Sequence, residues 1–61
     1  MFVQYEVWGT LDGHDSLVEC TSTLKAAEIL VMDQLENYGE MWILEDIDGE
    51  DLKEVARFKG L

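Results

Sequence analysis

The side chains that could do chemistry in this sequence lie in two acidic loops and at one cysteine. Asp12, His14 and Asp15 form the first loop, which holds the only histidine. A histidine between carboxylates could act as a general base or bind a metal ion. No second histidine and no cysteine lies near it in the sequence. A loop histidine without such a role is the favoured interpretation, and a metal-binding module is the weakest of the functions considered.

The second acidic loop has some of the ligands of a calcium site. Asp46, Asp48 and Asp51 surround Gly49. An EF-hand loop needs acids at its first, third and fifth positions, glycine at the sixth and a carboxylate at the twelfth. Here the glycine directly follows the second acid, and residue 57 is arginine. We therefore interpret this segment as a solvated hairpin loop and predict neither a metal nor a cofactor.

Cys20 is the only cysteine and could be a nucleophile. The hairpin register described below places it on the same face as Val18, which predicts a small buried side chain. No Ser-His-Asp order, glycine-rich phosphate loop or HExxH pattern is present. A chain of 61 residues also has little room for a catalytic pocket. The sequence predicts a protein that is not an enzyme.

The charge of the chain limits the partners it can bind. Fourteen acidic residues against four basic ones give a formal net charge of −10. Such a field repels phosphate backbones and anionic membranes, so we expect no direct nucleic-acid binding and no membrane binding. The longest apolar runs, 29–32 and 41–44, are too short for a membrane span, and one unpaired cysteine suits a reducing compartment. We expect a soluble cytoplasmic protein with a basic protein partner.

The acids are densest between residues 40 and 54, where a partner-binding surface is predicted. With these acids the chain resembles, in size and charge, the small acidic inhibitors carried by phages and mobile elements. The resemblance implies carboxylates that imitate DNA phosphates and occupy the basic groove of a DNA-binding protein. The alternative is a hairpin whose acids only confer solubility. The candidate contact residues, including two aromatic anchors, are Glu45, Asp46, Asp48, Glu50, Asp51, Trp8 and Trp42.

These residues must be positioned by two hairpins and a helix. The segment 2–8 alternates at period two and leads into Asp12-Gly13, a strong hairpin signal. A two-residue turn there predicts two pairs on one face, Val7 with Val18 and Tyr5 with Cys20. On the other face it predicts Glu6 opposite Glu19 and Trp8 opposite Leu17.

The segment from Thr23 to about Tyr38 is predicted to be helical. Thr23 is a suitable N-cap and Gly39 lies where a C′ glycine belongs. Apolar residues recur at helical spacing and predict a stripe that faces the core. Its members are Leu24, Ala27, Val31, Leu35 and Tyr38.

Three apolar residues of the same helix, Ala26, Ile29 and Leu30, lie away from the core stripe. A small domain without disulfides often gains stability from a second subunit. We therefore expect a homodimer formed through this helix face, and a self-associating structural or accessory protein is the alternative function.

The second hairpin has two candidate loop lengths, and we prefer the longer. Strands 41–47 and 52–58 joined by a four-residue loop give apolar pairs on one face: Ile47 with Leu52, Ile43 with Ala56 and Met41 with Phe58. On the other face this loop pairs Trp42 with Arg57, but it also places Glu45 opposite Glu54, which is unfavourable. A tight Asp48-Gly49 turn gives poorer pairs. Helical spacing leaves open a helix over 52–58, although we favour the strand.

The predicted fold is therefore one α+β domain over residues 1–61, in the order β-β-α-β-β, with one helix packed on a four-stranded sheet. This order and length resemble small β-grasp domains such as the bacterial immunoglobulin-binding modules.

Overall fold

The computed structural model describes residues 2–60, so the two terminal residues of the predicted domain lie outside the described residues. It confirms the α+β fold and the order β-β-α-β-β. The segment 52–58 is part of a strand, as predicted, and does not form the alternative helix. The elements are β1 Val3–Leu11, β2 His14–Thr21, α1 Leu24–Gln34, a 3-10 turn Leu35–Asn37, β3 Glu40–Ile47 and β4 Asp51–Lys59.

The sheet is antiparallel throughout, with the strand order β2-β1-β3-β4. A β-grasp sheet instead has its first and last strands side by side and parallel. Here β1 pairs with β3, so the resemblance to β-grasp domains ends at the order of the elements. The edge strands are β2 and β4.

The first hairpin has the predicted turn but not the whole predicted register. Asp12 and Gly13 both have positive φ, as a two-residue type I′ turn requires. Trp8 lies opposite Leu17 as expected, but a bulge at Val18 then shifts the pairing by one residue. Val7 therefore faces Glu19, and Cys20 faces Glu6. The prediction of a buried Cys20 is wrong, because the bulge turns this side chain outward and leaves it exposed.

The second hairpin contains a matching bulge. Met41 pairs with Phe58 and Ile43 with Ala56, as predicted, but the register shifts at Val55. The connection is therefore the three residues 48–50, and neither predicted loop length is right. Ile47 lies opposite Asp51 instead of Leu52.

Both bulges lie on edge strands and both separate glutamates that the unbulged register would place face to face. In β2 the shift removes the pair Glu6–Glu19. In β4 the shift moves Glu54 away from Glu45, so that Lys53 lies opposite Glu45 instead. Like charges directly opposite destabilise a sheet, whereas opposite charges stabilise it. A bulge also makes an edge strand a poorer template for pairing with another chain.

The helix is shorter than predicted. Thr23 is the N-cap, as expected, and its side chain accepts a hydrogen bond from the backbone N–H of Ala26 at 3.1 Å. The α-helix ends at Gln34 and a single 3-10 turn follows. Gly39 is not the predicted C′ glycine: it follows an extended Tyr38, and its N–H donates to a β1 carbonyl. No helix within residues 2–60 has the length and hydrophobicity needed to cross a bilayer.

The core lies between the helix and one face of the sheet. Ala27 and Val31 of the predicted helical stripe are fully buried, and they pack against Val7, Met41 and Ile43 of the central strands. The rest of the stripe is less buried. Leu35 and Tyr38 pack partly against this cluster, whereas Leu24 is exposed. The helix therefore covers the face of the sheet that carries Val7 and leaves the opposite face without a covering layer of described residues.

Candidate partner-binding face

The uncovered face of the sheet, called here the outer face, carries both tryptophans. Cross-strand pairing aligns Leu17, Trp8, Trp42 and Arg57 in one row through all four strands. Side chains alternate between faces along a strand, so this row lies opposite the buried Val7. Trp8 is half-buried, and Leu17 is exposed to 48%. The row is an aromatic and apolar stripe on a strongly acidic domain.

Arg57 lies over Trp42 and joins it to two carboxylates. Its guanidinium carbon is 4.7 Å from the centre of the Trp42 ring, which is a cation–π contact. Its Nη1 lies 2.9 Å from Glu40, and its Nη2 lies 2.6 Å from Glu54. Although no helix covers this face, Trp42 is only 9% exposed.

The ion pair between Arg57 and Glu54 shifts the pKa of both groups. The hydrogen bond from Arg57 lowers the pKa of Glu54, with partial desolvation acting in the opposite direction. The same two carboxylates raise the pKa of Arg57 still further above its ordinary value. Glu54 and Arg57 therefore both stay charged across the physiological range, and the contact of Arg57 over Trp42 persists with them.

A second pair of an aromatic ring and a carboxylate, Trp8 and Glu6, lies on β1, the strand next to that of Trp42. Its indole Nε1–H donates to Oε1 of Glu6 at 3.0 Å. No other described residue donates to the Glu6 carboxylate, and no described cation lies over Trp8. The outer face thus carries one aromatic–carboxylate pair that holds a guanidinium and one that does not.

Asp46 also belongs to the outer face but is not an exposed contact residue. It is only 8% exposed, and its Oδ2 accepts a hydrogen bond from Gln4 Nε2 at 3.2 Å. No described group donates to its buried Oδ1. An unpaired buried acceptor costs about 1–3 kcal/mol, so this carboxylate lowers the stability of the sheet at the row where Gln4 pairs with Asp46.

The remaining candidate carboxylates lie around the β3–β4 turn, and two of them have structural contacts. Asp48 has positive φ, and its Oδ1 accepts from the backbone N–H of Phe2 at 2.6 Å, which ties the start of β1 to the turn. Glu45 lies on the helix side of the sheet and accepts from the Tyr5 hydroxyl at 3.2 Å. Glu50 and Asp51 are exposed and accept no side-chain hydrogen bond from a described residue. They are the candidates available for a partner without loss of an internal contact.

The Tyr5–Glu45 contact predicts a pH dependence of stability. Partial burial of the phenol, followed by the hydrogen bond to Glu45 and its negative charge, raises the pKa of Tyr5 above its ordinary value of about 10. The folded state then holds this proton more tightly than the unfolded state. The stabilisation of the folded state by the protonated Tyr5 hydroxyl is complete below about pH 10, and it is lost as the pH rises through the raised pKa of Tyr5.

We therefore expect the free energy of unfolding to fall less between about pH 9 and about pH 11 in Tyr5→Phe than in the wild type. Urea unfolding at the two pH values measures this difference, and the comparison cancels the lysine titrations that both proteins share. An identical fall in both proteins would contradict the prediction.

A shallow depression of about 260 Å³ lies on the helix side of the β3–β4 turn. It is lined by Glu45, Ile47, Glu50, Asp51 and Lys53. The helix packs on β1, β2 and β3, whereas the residues that line this depression lie at the turn end of the β3–β4 hairpin. Lys53 forms no ion pair within residues 2–60, so it does not neutralise the exposed acids of the turn.

The histidine loop is at the opposite end of the sheet from the β3–β4 turn. Asp12 forms the turn itself, and His14 and Asp15 begin β2 with exposed side chains. Within the described part of the chain, no three His, Cys, Asp or Glu side chains are grouped so that they could hold a metal ion. Nothing in this loop brings a nucleophile or a second ligand to the histidine.

The predicted dimer patch on the helix is only partly present. Ala26 is exposed and Ile29 is 61% exposed, but Leu30 packs against the core and contributes less to the surface. Met32, which was not predicted, is 74% exposed one turn from Ile29. Their exposed apolar surface lies on the side of the domain away from the outer face.

Sequence reasoning did not find the contribution of Arg57 and Glu6 to the outer face. The register within β3 and β4 correctly placed Trp42 opposite Arg57, which is a signal for a cation–π contact. The neighbouring position of Trp8 requires the pairing of β1 with β3, which are far apart in the sequence.

Comparison with known protein families, curated proteins and solved structures found no match for this chain.

Proposed function

We propose that this domain is a non-enzymatic interaction protein that binds a basic protein partner through its surface carboxylates. One observation carries the proposal. Within residues 2–60 only Glu40 and Glu54 form ion pairs, so the other twelve of the fourteen acidic side chains have no cationic partner. Most of these carboxylates are exposed. Their summed field attracts a cationic surface over a long range and orients it before contact.

A more specific form of the proposal is that the carboxylates imitate DNA phosphates and inhibit a nucleic-acid-binding protein. Its support is the high net charge, −10 in 61 residues, on a narrow body with principal extents of 36 × 21 × 15 Å. Carboxylates lie at both ends of this body and along the helix. They would give it an acidic surface about as long as one helical turn of DNA, which is about 34 Å. Basic grooves that hold a duplex would accept this charge by the same electrostatic attraction.

The experiment is an affinity capture from a cell lysate with the immobilised domain and two charge-reversal variants. Glu50→Lys/Asp51→Lys changes the exposed acids of the β3–β4 turn. Glu28→Lys/Glu36→Lys makes the same change in net charge on the exposed side of the helix region and is the matched control. Captures at about 0.1 M and about 1 M ionic strength are compared, because the Debye length falls from about 10 Å to about 3 Å.

We expect basic proteins to be recovered at low salt and lost at high salt, with recovery falling roughly tenfold for the turn variant and much less for the control. Recovery of nucleic-acid-binding proteins would support the more specific form. Equal losses in both variants would mean that net charge alone attracts the captured proteins, and salt-independent capture would contradict the proposal.

The alternative function is self-association, and the exposure of Ile29 and Met32 favours it. In that case the acids only keep the assembly soluble. Light scattering on the wild type and on Ile29→Asp separates the two functions. A dimer that Ile29→Asp converts to a monomer supports self-association, and a monomer in both proteins excludes it.

A further inference from the structure

We infer that the outer face binds an arginine side chain of the basic partner at Trp8, with Glu6 as the carboxylate that pairs with it. This inference rests on the proposed function, because it names the side chain through which a basic partner is recognised. It also assigns a role to the uncovered tryptophan row, which the carboxylates alone do not explain.

The first argument is that the same face already binds one guanidinium. The guanidinium carbon of Arg57 lies over Trp42, 4.7 Å from the ring centre, and Glu40 and Glu54 hold its nitrogens at 2.9 and 2.6 Å. This arrangement combines cation–π attraction with charge-assisted hydrogen bonds. The domain therefore contains an internal example of the ligand chemistry that its outer face accepts.

The second argument is that Trp8 and Glu6 repeat this arrangement without a cation. Trp8 is the direct cross-strand neighbour of Trp42, and its Nε1–H already holds one oxygen of Glu6 at 3.0 Å. That hydrogen bond fixes the carboxylate beside the ring and leaves its second oxygen free to accept. The indole is half-buried, so part of its ring is accessible to solvent.

The third argument concerns the occupant. A second copy of this chain would bring another charge of −10 to a face where Glu6 has no cationic partner among the described residues, so repulsion opposes self-association there. A basic segment has the complementary charge. Arginine fits better than lysine, because its planar guanidinium stacks on an aromatic ring while its fork of N–H groups reaches a carboxylate.

The test uses an arginine homopeptide and a lysine homopeptide of equal length as probes, titrated into the full chain at low ionic strength. We expect the wild type to bind the arginine peptide about two- to fivefold more tightly, the range of an exposed cation–π contact. Trp8→Leu should bind both peptides equally. Glu6→Gln should weaken arginine-peptide binding more than Glu28→Gln, which removes one charge from the exposed helix surface.

A second measurement does not depend on the folding of any variant. In the ¹⁵N-labelled wild type, the arginine peptide should shift the indole N–H resonance of Trp8 more than the lysine peptide does. Equal affinity for both peptides, a preference that survives Trp8→Leu, or an indole resonance that does not move would overturn the inference and leave the proposed function intact. Failure of both peptides to bind would overturn the proposed function and the inference with it.

Discussion

Replacing Ile43 with alanine is expected to lower the free energy of unfolding by about 2–5 kcal/mol. Ile43 is fully buried in a central strand, between Val7 on β1 and Ala56 on β4, and it belongs to the cluster that packs against the helix. A domain of this size has a total stability of only roughly 3–9 kcal/mol. The variant should therefore lose a large fraction of its total stability and unfold at a much lower urea concentration than the wild type.

Urea unfolding followed by circular dichroism measures this effect. Leu52→Ala is the matched control, because Leu52 is 52% exposed on the edge strand and its truncation leaves no internal cavity. We expect the control to cost less than about 1 kcal/mol. Equal losses for the two variants would mean that the cluster around Ile43 is not the core of the domain.

Replacing Gly9 with alanine is the second change with a large expected effect, about 1–3 kcal/mol of stability lost. Gly9 is buried in β1, and the ring of Tyr38 occupies the space above it. A Cβ on Gly9 would lie 2.6 Å from Cδ1 and 2.8 Å from Cγ of that ring, well inside contact distance. Alanine is otherwise preferred to glycine within a strand, so the loss would measure the overlap with Tyr38.

Two further variants test this explanation of the Gly9 effect. At Gly39 a Cβ would meet only the Thr10 carbonyl oxygen at an ordinary 3.7 Å, so Gly39→Ala should change stability little. Tyr38→Ala removes the ring, and in that background Gly9→Ala should cost clearly less than it does alone. Strictly additive losses in the double variant would show that the ring is not the cause.

Local sequence patterns predicted those parts of the fold that short-range physics controls. Asp12-Gly13 specified its turn because both positions need positive φ, and Thr23 capped the helix because its hydroxyl reaches an otherwise unpaired N–H. The helix end was wrong because Gly39 suggested a C′ glycine, whereas the chain leaves the helix earlier through a 3-10 turn and enters the sheet at this glycine.

The registers were correct only as far as the bulges. A bulge moves one residue out of the ladder, and the sequence alone does not show which residue it is. Each predicted register did contain a sign of it, since Glu6 opposite Glu19 and Glu45 opposite Glu54 are unfavourable pairs. Cys20 shows the consequence, because a shift of one residue moved it from the predicted buried face to the exposed one.

The sequence by itself determined the element order, the high negative charge and the presence of two tryptophans near acids, because composition and short-range periodicity specify these properties directly. Only the tertiary structure decided that Trp8 and Trp42 are neighbours on the uncovered face, that Arg57 is held over one of them, and that Asp46 is buried. The position of Arg57 follows from the β3–β4 hairpin, but the contact between the two tryptophans depends on the pairing of β1 with β3. That pairing joins residues from about thirty to about forty-four positions apart, and such contacts follow from packing the whole chain rather than from any local pattern.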